Sequence, residues 1–370
     1  MIIKNSLVFT EACSFTKEDI YIEEDRISTS SGLDNDILEA EGLYAIPGLT
    51  DIHLHGCVGY DFCDGTPEAV QAIADYESRQ GITSIAPATM TLGYEELTKI
   101  FKNAASYENK QGASLVGINM EGPYLSYEKK GAQNGAYLKH PDLEHFKTMQ
   151  RLSNGLIKLV AIAPEEDGSM DFIKAVKDEV VVSVAHTTAD YDTASEAFRC
   201  GASNVTHLYN AMPAFTHRAP GVVGAAMDAE HVKVELICDG VHIAPSMVRA
   251  TFKMFGDDRI ILVSDSMMAT GLKEGEYSLG GQKVFVKGNK ATLADGTIAG
   301  STTNLMACMT TAVAMGIPLE SAVKCAAINP AKQIGIYEQY GSISPGKYAN
   351  IVLLNQDLSI NRIILRGKVI

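Results

Sequence analysis

Apolar residues in this chain come in short runs rich in Val and Ile, and helix start and stop signals fall between them. Eight runs read as buried parallel strands: 43–55, 82–89, 114–122, 157–164, 180–186, 203–209, 232–239 and 259–265. The spacing predicts a helix over 67–80, opened by Thr66 as N-cap and Pro67 in the first turn. Helices over 190–200 and 245–255 stop at Gly201 and Gly256, and two more follow the eighth strand, near 304–315 and 319–334. This alternation predicts an α/β protein, a (β/α)8 TIM-type barrel, with a doubly wound open sheet as the other arrangement of the same units.

The two ends of the chain read differently. Ile2-Ile3, residues 6–9, residues 19–22 and Arg26-Ile27 are strand-like and separated by polar turn residues, and residues 341–370 carry a similar pattern. Neither end is large enough to bury an apolar face alone, so both are expected to pair into one small β-sandwich domain. The expected boundaries are 1–47 and 337–370 for that domain and 48–336 for the barrel. Residues 276–297, punctuated by Gly280-Gly281, Gly288-Asn289 and Asp295-Gly296, break the alternation. They read as a β-hairpin excursion that adds to the small β module.

Bulk properties narrow the function. A length of 370 residues with 46% hydrophobic and 21% charged residues supports a large core. The net charge of −14 argues against a nucleic-acid surface, although one Arg in a pocket suffices for one phosphate. No apolar run reaches the length of a bilayer crossing, and no signal peptide is recognisable, so no membrane association is expected. Seven scattered cysteines without a Cys-x-x-Cys pair read as free thiols in the cytoplasm.

The chemistry lies at the strand ends, where a barrel of this type builds its site. The first run stops at His53 and His55, whose i, i+2 spacing on a strand directs both imidazoles to one face. Later ends supply Glu121, His186, His207, Asp239 with His242, and Asp265. Taken singly, each is more often a hydrogen-bonded core residue, a cap or a loop anchor than a ligand. Together, five histidines and three acids converge on one face, and burying so many ionisable groups without a metal or substrate is costly. His and carboxylate ligands without thiolates suit zinc, iron, cobalt or manganese. The fourth run ends at Glu165, with no Lys to form a carbamylated bridge, which leaves Glu121 as the carboxylate in its place.

The segments around these residues resemble the amidohydrolase superfamily and, within it, the N-acetylglucosamine-6-phosphate deacetylases. The entry Pro47-Gly48-x-x-Asp51-x-His53-x-His55 and the segment from Gly341 to Leu354 mark the superfamily. Glu121-Gly122-Pro123 and His207-Leu208-Tyr209-Asn210-Ala211-Met212 are the more specific matches, with Lys130-Gly131-Ala132 between them. The resemblance implies Glu121, His186 and His207 as ligands of a principal metal, Asp265 as both catalytic acid/base and metal ligand, and His242 as a second catalytic residue that polarises the substrate carbonyl. It implies His242, Asn210, Ala211 and Arg218 as contacts to a sugar phosphate, with Ala132, Gln133, Ile298, Ala299 and Gly300 around the pocket. Gln133 stands where many members have His. Because His53 and His55 are both present, one or two divalent metals per subunit are expected, zinc or iron ahead of cobalt, manganese or nickel. The implied reaction is hydrolysis of an N-acetylated amino-sugar phosphate by a homodimer. An amidohydrolase of a galactosamine epimer, cyclic amide, nucleobase or dipeptide, and a non-catalytic barrel, are the competing readings.

Overall fold

The structure is a computed structural model describing residues 1–30 and 36–370. Its centre is a set of parallel strands in the expected order. These are Leu49–Asp51 (β1), Ile82–Ile85 (β2), Ile118–Met120 (β3), Ile157–Ile162 (β4), Val181–Val184 (β5), Asn204–Val205 (β6), Lys233–Leu236 (β7) and Ile260–Leu262 (β8). From β3 to β8 each strand pairs in parallel with the next. β2 pairs with β1 on one side and with Ser114–Leu115, just upstream of β3, on the other. Main-chain bonds from Asp265 N–H to His53 O (2.8 Å) and from His55 N–H to Ser266 O (2.7 Å) tie the end of the eighth strand to the end of the first. The parallel sheet thus curls back on itself, consistent with a barrel. Buried residues such as Leu159, Val160, Val182, Val184 and Leu236 fill its strands, as expected where both sheet faces are covered.

Helices form where the start and stop signals stand. Thr66 caps Pro67–Arg79 by accepting the Ala69 N–H, Asp190 caps Tyr191–Cys200, and Asn304 caps Leu305–Ala314. Pro245–Phe255 ends at Gly256.

The expected long first strand is two strands. Tyr44–Pro47 pairs antiparallel with Ile351–Leu354, whereas β1 belongs to the parallel set. The chain changes sheets at Gly48, where a Cβ would meet Thr83 Oγ1 at 2.3 Å, so a side chain there is excluded. Tyr44–Pro47 and Ile351–Leu354 join the two ends into one eight-stranded sheet with its own core of Ile3, Ile20, Ala45, Ile351, Leu353 and Ile364. Lys4-Asn5, expected as a turn, is instead a register shift inside one strand, Ile2–Phe9, with Asn5 at φ 62°.

The excursion after β8 is a meander of Gly275–Leu279, Gln282–Lys287 and Lys290–Thr292. It does not extend the sheet of the chain ends: among the described residues its strands form a separate three-stranded sheet. Leu279, Val284 and Ala291 pack instead on Met90, Ala132 and Met267, at the open end of the curled sheet.

One buried group is at odds with its surroundings. Glu77, on the Pro67–Arg79 helix, is fully buried, and neither carboxylate oxygen has a protein partner among the described residues. Burial and the nearby Asp51 push its pKa well above the ordinary carboxylate value. Below the unfolded-chain value the carboxyl is neutral in both states. As pH rises past it, the unfolded chain ionises first, and stability is lost until the folded-state value is passed. Glu77→Gln is therefore expected to match the parent's melting temperature near pH 4 and exceed it by a few degrees at pH 8. Melting curves across that range check this, and a pH-independent difference would refute it.

Candidate metal centre and active site

The sequence placed five histidines and three acids at strand ends, and the curled sheet brings them together. Glu121, following β3, is at the centre. Its Oε1 lies 3.2 Å from His186 Nε2, 3.3 Å from His207 Nε2 and 3.6 Å from His53 Nε2. Its Oε2 lies 3.3 Å from His55 Nε2. Asp265 Oδ1 stands 3.3 Å from His55 Nε2 and 3.6 Å from His53 Nε2. Two three-residue groups result, each with its ligand atoms within 4.8 Å of one another: Glu121, His186 and His207, and His53, His55 and Asp265. All six residues are buried.

The hydrogen bonds around these rings fix which nitrogen faces the centre. His186 Nδ1 lies 2.8 Å from the Lys129 carbonyl, which only accepts, so Nδ1 carries the proton and Nε2 presents a lone pair. That lone pair faces His207 Nε2 at 3.2 Å. Two imidazole nitrogens in that relation are accommodated by a cation between or beside them. His53 Nε2 is buried, has no hydrogen-bond partner among the described residues, and faces the carboxylates. The donor set is imidazole and carboxylate, with no thiolate, and it fits a borderline divalent ion.

The electrostatics agree. Burial alone would lower the imidazole of His55, but the hydrogen bonds and charges of Asp265 and Glu121 outweigh it and raise it to about 10. Burial alone would raise the carboxyl of Asp265, but the His55 hydrogen bond and the charges of His53, His55 and His207 hold it down at about 2. Glu121 is held well below the carboxylate range against burial by His53, His186 and His207. Positive charge is thus favoured strongly at the centre, and a divalent ion supplies it while using the nitrogen lone pairs.

His186, His207 and Asp265 adopt left-handed backbone, with φ of 42°, 29° and 49°, and Tyr209 and Ala211 do so at 78° and 53°. These five are among twelve left-handed non-glycine residues in the described chain, and backbone of this kind at a side-chain cluster is a form of stored strain.

A cavity of about 470 Å³ opens over this centre. Of the expected pocket residues, Ala132, Gln133, Asn210, Ala211, His242, Ile298 and Gly300 line it, together with Glu121, His186, His207, His55 and Asp265. His242 is held by Asp239, whose Oδ2 lies 2.7 Å from its Nδ1, while Oδ1 accepts the Val241 and His242 N–H groups. That leaves His242 Nε2 for the cavity, and Asp239 raises the imidazole's pKa against the effect of burial.

Three expected pocket residues lie elsewhere or do something different. Ala299 is fully buried in the core under the meander and does not line the cavity. Arg218 is exposed in the loop after β6, outside the cavity of its own chain. Gln133 is buried, and its amide is committed: Oε1 accepts the Thr91 N–H at 2.7 Å and Nε2 donates to Glu121 Oε2 at 3.0 Å. It orients the central carboxylate, where the expectation was a contact to substrate.

Lys130, the first residue of the Lys130-Gly131-Ala132 motif, lines the cavity, although no role was assigned to it from sequence. Lys129, Asp295 and Thr297 also line it and were not singled out from sequence. Lys129 adjoins that motif, and the adjacency was the available signal. Glu165, at the end of β4, takes the Thr188 side-chain hydroxyl at 2.9 Å and so anchors the chain just after His186.

The amidohydrolase family model matches residues 44–370. The chain belongs to the amidohydrolase family. This amidohydrolase is 35% identical to the N-acetylglucosamine-6-phosphate deacetylase of Bacillus subtilis (strain 168), over all of the chain and 96% of that protein. It is 30% identical to the N-acetylgalactosamine-6-phosphate deacetylase of Escherichia coli O157:H7, over 90% of the chain and 89% of that protein. Among solved structures, it superposes with a TM-score of 0.93 on an Asp→Ala mutant of the N-acetyl-D-glucosamine-6-phosphate deacetylase of Mycobacterium smegmatis, in complex with N-acetyl-D-glucosamine-6-phosphate. The two are 31% identical, and the match covers all of this chain and 98% of that one. The family is generally divalent-metal dependent, in keeping with the two ligand groups. Among the described residues, no helix is long and apolar enough to cross a membrane.

Proposed function

We propose that the protein hydrolyses the N-acetyl group of N-acetyl-D-glucosamine 6-phosphate, releasing acetate and glucosamine 6-phosphate. The observation that carries the reading is the convergence of Glu121, His186, His207, His55 and Asp265 on the floor of one cavity, in a chain related over its whole length to deacetylases of this substrate. Glu121, His186 and His207 would hold a divalent ion, zinc or iron in our reading, and that ion would supply Lewis acidity for the hydrolytic water. Asp265, ionised and aimed at the same point, takes the proton of the attacking water and later gives it to the departing amine. His242, with Nδ1 bonded to Asp239, presents Nε2 to the acetyl oxygen and stabilises the charge that develops there. Gln133 keeps Glu121 oriented throughout. Lys129 and Lys130 supply positive charge at the cavity wall for an anionic group.

The remaining assignments belong to the same proposal. His53 and His55, with Asp265, would hold a second ion. The curled sheet is a (β/α)8 barrel spanning 48–336, and residues 1–47 and 337–370 form a β-sandwich-type module. The enzyme is a cytoplasmic homodimer, in keeping with its seven free cysteines. Arg218, exposed outside its own cavity, reaches the substrate phosphate of the partner subunit.

The galactosamine epimer is a second reading, favoured by the Escherichia coli relative. Acetate release from both N-acetylated hexosamine 6-phosphates and from unphosphorylated N-acetylglucosamine, with added divalent metals, tests the assignment. The glucosamine phosphate is expected to give the highest kcat/KM. A higher value for the galactosamine phosphate would favour the second reading, and no metal-dependent acetate release from any of them would refute both.

A further inference from the structure

Beneath the ligands, inside the curled sheet, lies a chain of polar side chains that the reaction itself does not use. Glu235 on β7 is fully buried and is an acid within an otherwise apolar strand interior. Its Oε2 lies 2.9 Å from His53 Nδ1 and accepts the main-chain N–H of His207 at 3.3 Å. Its Oε1 accepts from Asn204 Nδ2 at 2.8 Å, and the same amide group donates to Ser183 Oγ at 2.9 Å. Ser183 Oγ and Thr206 Oγ1 lie 2.6 Å apart. The carboxylate is therefore satisfied within the protein, and it touches both ligand groups at once.

We propose that Glu235 is a positioning residue that makes His53 a metal ligand, and that it decides whether the second cation is held. The inference rests on the two-cation reading above. A carboxylate at Nδ1 keeps the His53 proton on that nitrogen, so the Nε2 lone pair faces Glu121 Oε1 and Asp265 Oδ1, each 3.6 Å away. Nε2 is buried and has no hydrogen-bond partner among the described residues, as a ligating nitrogen requires. Without the carboxylate, the ring is free to place its proton on Nε2, which then cannot ligate. Of the four ligand histidines, His53 alone has a carboxylate at Nδ1 among the described residues. His186 has the Lys129 carbonyl there, and the Nδ1 atoms of His55 and His207 have no hydrogen-bond partner among those residues.

The test is titration of metal-stripped protein with Mn²⁺, read by metal analysis after dialysis and by electron paramagnetic resonance, for the parent, Glu235→Gln, His53→Gln and Ser183→Ala. The parent is expected to take two equivalents and give an exchange-coupled spectrum. Glu235→Gln is expected to bind the second equivalent about 10- to 100-fold more weakly, with the spectrum of isolated ions, an unchanged first equivalent and unchanged circular dichroism. His53→Gln should behave alike, and Ser183→Ala, whose hydroxyl bonds Asn204 and Thr206 rather than Glu235, should keep both equivalents. Parental affinity for both equivalents in Glu235→Gln overturns the role of Glu235 and leaves the two-cation reading standing. A parent that saturates at one equivalent overturns both. Loss of both equivalents together in Glu235→Gln makes the residue a general support of the sheet interior and also overturns the proposal. Should Glu235→Gln not fold, Glu235→Asp keeps the charge but shortens its reach, and parental affinity for the second equivalent in that variant refutes the role.

Discussion

Asp265→Asn is expected to lower turnover by about 10²- to 10⁴-fold, the range of a positioned acid/base group, while the Glu121, His186 and His207 group keeps its ion. The geometry separates the two effects. Asp265 Oδ1 faces His55 and His53, whereas His186 and His207 face Glu121. Asn retains the shape and one acceptor oxygen but takes no proton from water. The carboxyl's low pKa, set against burial by His55 and its neighbours, keeps it ionised throughout the neutral range, with its oxygens unprotonated. Acetate release measured alongside metal content decides the matter. Activity within a few-fold of the parent would remove Asp265 from the proton transfer, and loss of all metal would make it chiefly a ligand.

Glu121→Ala is expected to have the broadest effect on metal binding, because among the described residues Glu121 alone faces all four ligand histidines. Its Oε1 serves His186, His207 and His53, and its Oε2 serves His55. Removing it leaves four buried imidazoles without their central counter-charge, and both metal equivalents should be lost on dialysis, with activity falling to background. A second readout is independent of activity. Metal that binds only the folded state raises the melting temperature of the parent, and Glu121→Ala should show no such rise. Tight retention of either equivalent would show that the histidines suffice without the carboxylate.

Most of the site was legible because its chemistry sits where strands end. His53, His55, Glu121, His186, His207, His242 and Asp265 each interrupt an apolar run, and a curled parallel sheet carries such interruptions to one side. Glu235 was not legible in that way. It lies inside a strand, between Val234 and Leu236, and its role depends on which strands face it across the interior. A charged residue in a run that must be buried was the only local sign. Gln133 was read from its motif as a pocket residue, but hydrogen-bond commitments to Thr91 and Glu121 are three-dimensional facts. Arg218 illustrates the converse: closeness in sequence to Asn210 and Ala211 did not bring it into the same cavity. In the fold, the change of sheets at Gly48 was hidden because one apolar run served two sheets in succession.

The left-handed backbone at His186, His207 and Asp265 bears on how this protein would age under relaxed selection. Strain of this kind costs on the order of 1–3 kcal/mol per residue, and glycine at the same positions relieves it. Glycine replacements that destroy the ligand set at these points therefore also relax the chain. A lineage released from the need to hydrolyse its substrate would find its first inactivating changes rewarded with stability. Descendants that kept the fold but lost the reaction would be expected to carry glycine or asparagine at these strand ends, well before their cores began to drift.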